Sequence, residues 1–203
     1  MEENSEIVMV CTDAEMRDEK GRFIREMRWN FNKDFWRQSI GNGSVVRRDL
    51  FFKENIWYDE KLVLLEDVDI ALYALKNKKW DFIPEILRIY YHYPKRKGTN
   101  LSTFATLNHQ WLLKDINYFL KKNLPIYEKI GKEALSWLYF YIGKYCLRVG
   151  IIKEGRNFLY KAFISQPKID TLFYYLISLF FPKLYQFQSL AILKHKILNF
   201  FHK

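Results

Sequence analysis

The spacing of apolar residues changes near residue 100, and this change most restricts what the chain can fold into. Before it, short β-branched and aromatic runs alternate with turn residues. After it, apolar residues recur every three to four positions. Over 203 residues this predicts an α/β region at 1–104 followed by an all-helical region at 105–203.

The charge divides at the same place. Residues 1–100 carry 18 Lys+Arg against 18 Asp+Glu, whereas residues 101–203 carry 15 against 5, which is the whole excess of +10. A basic, aromatic-rich half favours anionic partners or a solvated basic helical surface. No recognised nucleic-acid motif accompanies it, so nucleic acid is not an expected partner. With 18% aromatic residues the chain can bury enough apolar surface to exclude intrinsic disorder. Two distant cysteines, Cys11 and Cys146, exclude a disulfide scaffold and point to a reducing compartment. Residues 1–6 are polar and acidic, and Ile7–Cys11 is too short for a signal-peptide core. The longest apolar run, Leu172–Phe181, ends at Pro182, well short of the ~20 residues of a membrane span. The expected location is therefore cytoplasmic, including the inner face of the membrane.

Along the first half, Glu6–Thr12 reads as a buried strand, and Asp18-Glu19-Lys20-Gly21 as a turn with glycine at positive φ. Gly41-Asn42-Gly43-Ser44 is a glycine-rich loop. Ser44–Arg48 reads as a short strand and Asp49–Glu54 as a short helix. Leu64–Asn77 reads as a helix with Glu66, Asp67 and Asp69 crowding its first turn. Trp80–Ile83 and Ile86–Tyr93 read as strands on either side of Pro84. In the second half, helices are predicted over Thr106–Lys122, Ile126–Val149, Lys153–Ser165, Asp170–Phe181 and Phe187–His202. The pair around Gly150 has the outline of one tetratricopeptide-type hairpin. The last segment sets Ile192, Leu193, Ile197 and Phe201 beside Lys194, Lys196 and Lys203, a basic amphipathic pattern suited to an anionic membrane surface over 187–203.

The densest chemical feature is Glu66-Asp67-Val68-Asp69. Free N–H groups at a helix start keep a carboxylate ionised, so it can take a proton from a hydroxyl or serve as an ordinary acidic cap. An Asp67/Asp69 metal pair is disfavoured, because positions i and i+2 of a helix point to different sides.

In order, these segments resemble the second half of the catalytic domain of family 2 glycosyltransferases, which have the GT-A fold. Ile7–Gly21 (IVMVCTDAEMRDEKG) resembles the family's strand, acidic turn and "D-x-x-G". Gly43-Ser44-Val45-Val46-Arg47-Arg48 resembles its "G-S-hydrophobic-hydrophobic-R-R" segment. Trp57-Tyr58-Asp59-Glu60 stands where "G-F-D-E" is usual, with Trp57 and Tyr58 replacing Gly and Phe. Glu66-Asp67-Val68-Asp69 matches "E-D-x-D", and Pro84-Glu85-Ile86-Leu87 with Tyr90-Tyr91-His92 resembles "I-P-x-x-L…Y-R-x-H", a tyrosine standing where Arg is common. The resemblance covers roughly residues 6–104.

It implies a partial GT-A-like mixed sheet and an inverting transfer of sugar from a nucleotide-sugar donor to a glycan or lipid-linked acceptor, as in polysaccharide and cell-envelope biosynthesis. Asp67 would be the catalytic base. Glu66, Gly43 and Ser44 would hold the acceptor, Arg47 and Arg48 would contact phosphate, and His92 would be a metal ligand. A divalent cation, Mg or Mn, belongs to the complete enzyme. The family's N-terminal nucleotide-binding half, with its Asp-x-Asp, has no counterpart in this sequence. The expectation is a chain inactive alone, with exposed sheet edges that favour homo-oligomers. The alternative is a non-catalytic helical interaction or membrane-surface module.

Overall fold

The computed structural model describes residues 6–28, 34–37, 44–76, 78–92 and 108–183. The Gly41–Gly43 loop and the segment 187–203 lie outside them. The elements are β1 (Ile7–Asp18), β2 (Phe23–Met27), β3 (Ser44–Val46), α1 (Asp49–Phe52), α2 (Glu66–Ala74), β4 (Lys79–His92), α3 (His109–Ile130), α4 (Lys132–Arg148), α5 (Ile152–Ser165) and α6 (Ile169–Phe180). The chain forms two compact units, Met1–Lys121 and Lys122–Lys203. It is thus mixed α/β followed by helices.

In the first unit β1 is the central strand of a mixed four-stranded sheet. Its β-branched and apolar residues suit a strand covered on its faces. β4 pairs with it in parallel from Ile7 to Asp18. β3 pairs antiparallel over Met9–Cys11, and β2 antiparallel over Ala14–Arg17. The β1–β2 turn closes as the sequence predicts. Gly21 takes φ 79° and donates its N–H to the Asp18 carbonyl at 3.0 Å. Asp18 Oδ1 accepts the N–H groups of Lys20 and Arg22, each at 2.9 Å.

The two predicted strands around Pro84 are one. β4 runs through the proline by bulging: Thr12 faces Ile83 while Asp13 faces Ile86, so Pro84 and Glu85 have no partner on β1. A proline without an N–H is tolerated at such a position on an edge strand. Among the described residues β1 is β4's one strand partner, and β4 exposes Leu87, Ile89 and Tyr91.

α2 packs on this sheet. Met9 and Cys11 of β1, Leu50 of α1, and Ile70, Ala71, Ala74 and Leu75 form the buried cluster, with Val46, Phe51, Ile56 and Phe82 packed around it. Asp69 is also buried, at 1% exposure.

The predicted helix break before Pro125 is not there. α3 continues through Pro125 to Ile130, and the break falls at Gly131, whose φ is 121°. Phe119, Asn123 and Tyr127, spaced by four, are all fully buried. Burial at that spacing outweighs the single hydrogen bond that the proline removes.

In the second unit α4 and α5 form an antiparallel hairpin about Gly150, itself at φ 91°. Ser136 Oγ donates to the Ala162 carbonyl at 2.9 Å. Gly143 and Gly155 let the two backbones touch: a Cβ on Gly143 would stand 3.0 Å from the Gly155 carbonyl oxygen. α6 closes the unit through Leu147, Leu159 and Tyr174. The Arg156 guanidinium donates to the Ser178 and Leu179 carbonyls, satisfying the C-terminal end of α6. Both cysteines are free and buried, and burial pushes their thiols up, Cys11 to about 11 and Cys146 to about 12. Among the described residues no helix is long and apolar enough to cross a membrane.

Candidate functional site

The acidic first turn of α2 is held in place from a distance. Leu65 precedes the helix without a side-chain cap. Instead Asp115 of α3 reaches back to the approach loop. Its Oδ1 accepts the Val63 N–H at 3.1 Å and its Oδ2 the Leu64 N–H at 3.2 Å. Tyr118, one turn further along α3, donates its hydroxyl to Asp59 Oδ2 at 3.0 Å. Asp59 Oδ1 accepts the Lys61 N–H at 3.0 Å, which tightens the same loop. A depression of about 320 Å³ lies beside it, lined by Lys61, Val63, Trp111, Lys114, Asp115 and Tyr118.

Carboxylates crowd this helix start. Asp67 is half-buried, and its Oδ1 accepts the Val68 N–H at 2.8 Å, a first-turn amide that favours the anion. Glu66 is pushed up from the usual carboxylate range, first by burial and then by the charges of Asp67 and Asp115. Among the described residues its Oε2 is buried with no hydrogen-bond partner. Asp115 is also pushed up by burial and by Asp59, although the Val63 and Leu64 amides pull the other way. Burial raises the Tyr58 phenol, and Asp67 and Glu66 raise it further, which places its ring within their field. Asp67, whose carboxylate accepts a first-turn amide, thus stands beside Glu66, which burial pushes up. That contrast suits a site where one carboxylate takes a proton and the other holds a ligand.

The structure brings Glu66, Asp67, Tyr58, Asp59 and Asp115 together. Other residues singled out from the sequence lie elsewhere. Ser44 is at the start of β3, paired with Cys11. Arg47 donates its N–H to the Val8 carbonyl at 2.9 Å and lines a depression of about 410 Å³ with Asp49, Lys53, Glu54, Lys78 and Lys79. Lys78 and Lys79 follow the C-terminal end of α2, so that depression is at the far end of the helix from Asp67. Its lysines are paired: Lys53 with Asp49 at 2.7 Å, Lys78 with Glu54 and Lys79 with Glu6, both at 2.5 Å. The Arg48 guanidinium lies 4.6 Å from the centre of the Phe52 ring. Gly43 is outside the described residues. The backbone of His92 ends β4 opposite Asp18, and its side chain is likewise outside them. Among the described residues no group of three or more His, Cys, Asp or Glu side chains is arranged to hold a metal ion.

The sequence reading overlooked Asp115 and Tyr118. One signal could have found Asp115: it falls on the apolar stripe of α3 beside Leu112, Ile116 and Phe119, all buried. A carboxylate at a core position needs a donor, and here the donors are backbone amides some fifty residues earlier.

The chain matches no family model, no curated protein and no solved structure.

Proposed function

We propose that this chain carries the acceptor side of an inverting family 2 glycosyltransferase of GT-A-like fold, with Asp67 as general base. The observation that carries the reading is the start of α2. Asp67, whose carboxylate accepts a first-turn amide, stands next to Glu66, a carboxyl pushed up by burial, and Asp115 holds the loop that leads into them. The ordered resemblance of residues 6–104 and the parallel β1–β4 pair flanking α2 support it further.

In the proposed reaction Asp67 accepts the proton of an acceptor hydroxyl. The freed oxygen pair forms a bond to the anomeric carbon of a nucleotide sugar. The bond from that carbon to the diphosphate oxygen breaks, its electrons leave with the nucleoside diphosphate, and the anomeric centre inverts. Glu66, beside it, hydrogen-bonds a second acceptor hydroxyl. The proposal concerns the acceptor side alone, and the donor diphosphate and its divalent cation are assigned to no residue described here. No step is routed through that cation.

The test is transfer from labelled UDP-, GDP- and dTDP-sugars in extracts of the source cells, where partners are present, with the product anomer read by NMR. Inverted product that disappears with the gene and returns with it supports the reading. Retained configuration, or transfer indifferent to the gene, overturns it.

One observation favours a second reading. α6 exposes Ile169, Leu176, Leu179 and Phe180, an apolar face suited to a helical interaction or membrane-surface module. Flotation of the purified chain with anionic but not neutral vesicles would support that reading, and absence of flotation would remove its membrane form.

A further inference from the structure

Three aromatic rings stand exposed in the segment that precedes the acidic helix start: Phe52 at 60%, Trp57 at 53% and Tyr58 at 43%. They are not loose. Phe51, packed against the sheet core, lies beneath them, 5.9 Å from Trp57 and 6.5 Å from Tyr58 between ring centres. Phe52 meets Trp57 edge-to-face at 5.1 Å and 84°. The indole N–H of Trp57 is already used, donating to Asn55 Oδ1 at 3.1 Å. Asn55 itself takes the left-handed conformation at φ 51°, which turns the chain so that Trp57 folds back on it. The polar handle of the ring is thus satisfied within the protein, and carbon surface faces outward.

A patch of this kind on a surface asks for an occupant, and its size and charge narrow the choice. The three rings leave roughly 300–400 Å² bare, on the scale of 150–250 Å² for each fully buried aromatic. A stable protein partner covers about 800 Å² on each side. The patch is too small for that, and large enough for two or three sugar rings. Glu66 and Asp67 act on Tyr58 at one end of the patch, and the Arg48 guanidinium lies 4.6 Å from the Phe52 ring centre at the other, so the patch offers hydroxyls both acceptors and donors and has no single sign of charge to select an ion. Carbon faces bordered by polar groups of both signs match the two kinds of surface of a pyranose, its C–H face and its hydroxyl rim.

We propose that Phe52, Trp57 and Tyr58 form a stacking surface for a neutral oligosaccharide, and that this surface delivers the acceptor hydroxyl to Asp67. The proposal rests on the acceptor-side reading above and deepens it. It also assigns a role to the two positions where the chain departs from the family pattern: Trp57 and Tyr58 replace Gly and Phe, and both rings are solvent-facing.

The experiment is NMR titration of the full chain with cellohexaose, maltohexaose and chitohexaose, following the backbone amides of residues 52–58 in the native protein, Trp57→Ala and Trp57→Phe, and the Trp57 indole N–H in the native protein. We expect one of the three to bind in the millimolar range typical of weak recognition, with the Trp57 signal moving. Trp57→Ala weakens that binding at least tenfold, and Trp57→Phe keeps most of it. Because Trp57 is half exposed, both variants fold, as an unchanged amide spectrum will verify. The proposal is overturned if none of the three hexasaccharides moves the indole signal, or if Trp57→Ala binds as the native chain does. It is equally overturned if the signal moves only with protein concentration, which would make the patch a protein contact. The two readings fail separately: binding without donor does not depend on Asp67 acting as a base, and loss of the base role leaves a saccharide-binding surface standing.

Discussion

Replacing Asp115 with alanine removes the side chain of α3 that holds the backbone of the approach loop of α2 at Val63 and Leu64. Two charge-assisted hydrogen bonds are lost, at 3.1 and 3.2 Å. Such bonds contribute about 1.5–3 kcal/mol each. Both are at the long end of the usual range, so the lower figure applies to each, about 3 kcal/mol together. The carboxylate is itself held at a desolvation cost, seen in its raised pKa, and losing that cost brings the expected loss to about 2 kcal/mol. For a chain of this size that corresponds to a Tm lower by about 4–8 °C. Urea unfolding measures the total. Amide hydrogen exchange measures the location, and Val63 and Leu64 should lose protection before any amide of β1. Transfer should fall as well, because the loop sets where Asp67 stands. A variant within 0.5 kcal/mol of the native chain, or Val63 and Leu64 amides that exchange freely in the native protein, would refute the anchoring role.

Two further outcomes follow from the structure. Glu66→Gln should raise stability at pH 7: the native carboxyl titrates above its ordinary value of 4.5, so between the two values the native state holds more protons and stability falls as pH rises. The gain should vanish below about pH 4, where both states are protonated, and a variant less stable at pH 7 would contradict the unpartnered burial of Oε2. Gly155→Val should cost about 2 kcal/mol or more in urea unfolding, since any Cβ there stands 2.6 Å from Cγ of the fully buried Leu147. Equal or greater stability would mean that α4 and α5 do not touch at these glycines.

What was legible in the sequence was local. The Asp18–Gly21 turn, the acidic start of α2 and the Gly150 turn each depend on residues within a few positions, and each is where the sequence places it. Pro84 and Pro125 misled for a common reason. A proline removes one backbone hydrogen bond, but a bulge on an edge strand absorbs that loss at Pro84, and burial of Tyr127 and Asn123 outweighs it at Pro125. The site divided in the same way. Glu66 and Asp67 are neighbours and could be found together. The grip of Asp115 on Val63 and Leu64 spans about fifty residues, and no local pattern carries such a pairing. Arg47 illustrates the converse: the resemblance gives it a phosphate contact at the proposed site, yet it lines a depression at the other end of α2 from Asp67. The aromatic surface was visible as letters that depart from a motif, and only the exposure of the rings gives the departure a purpose.

The measurement that bears most directly on the central claim is the transfer rate with Asp67→Asn. The substitution keeps the shape of the side chain and removes its ability to take a proton. With the variant expressed at native levels in the source cells and its circular dichroism unchanged, sugar transfer should fall by about 10²–10⁴-fold. Transfer within twofold of the native rate would contradict Asp67 as the base and, with it, the account of what the start of α2 is for.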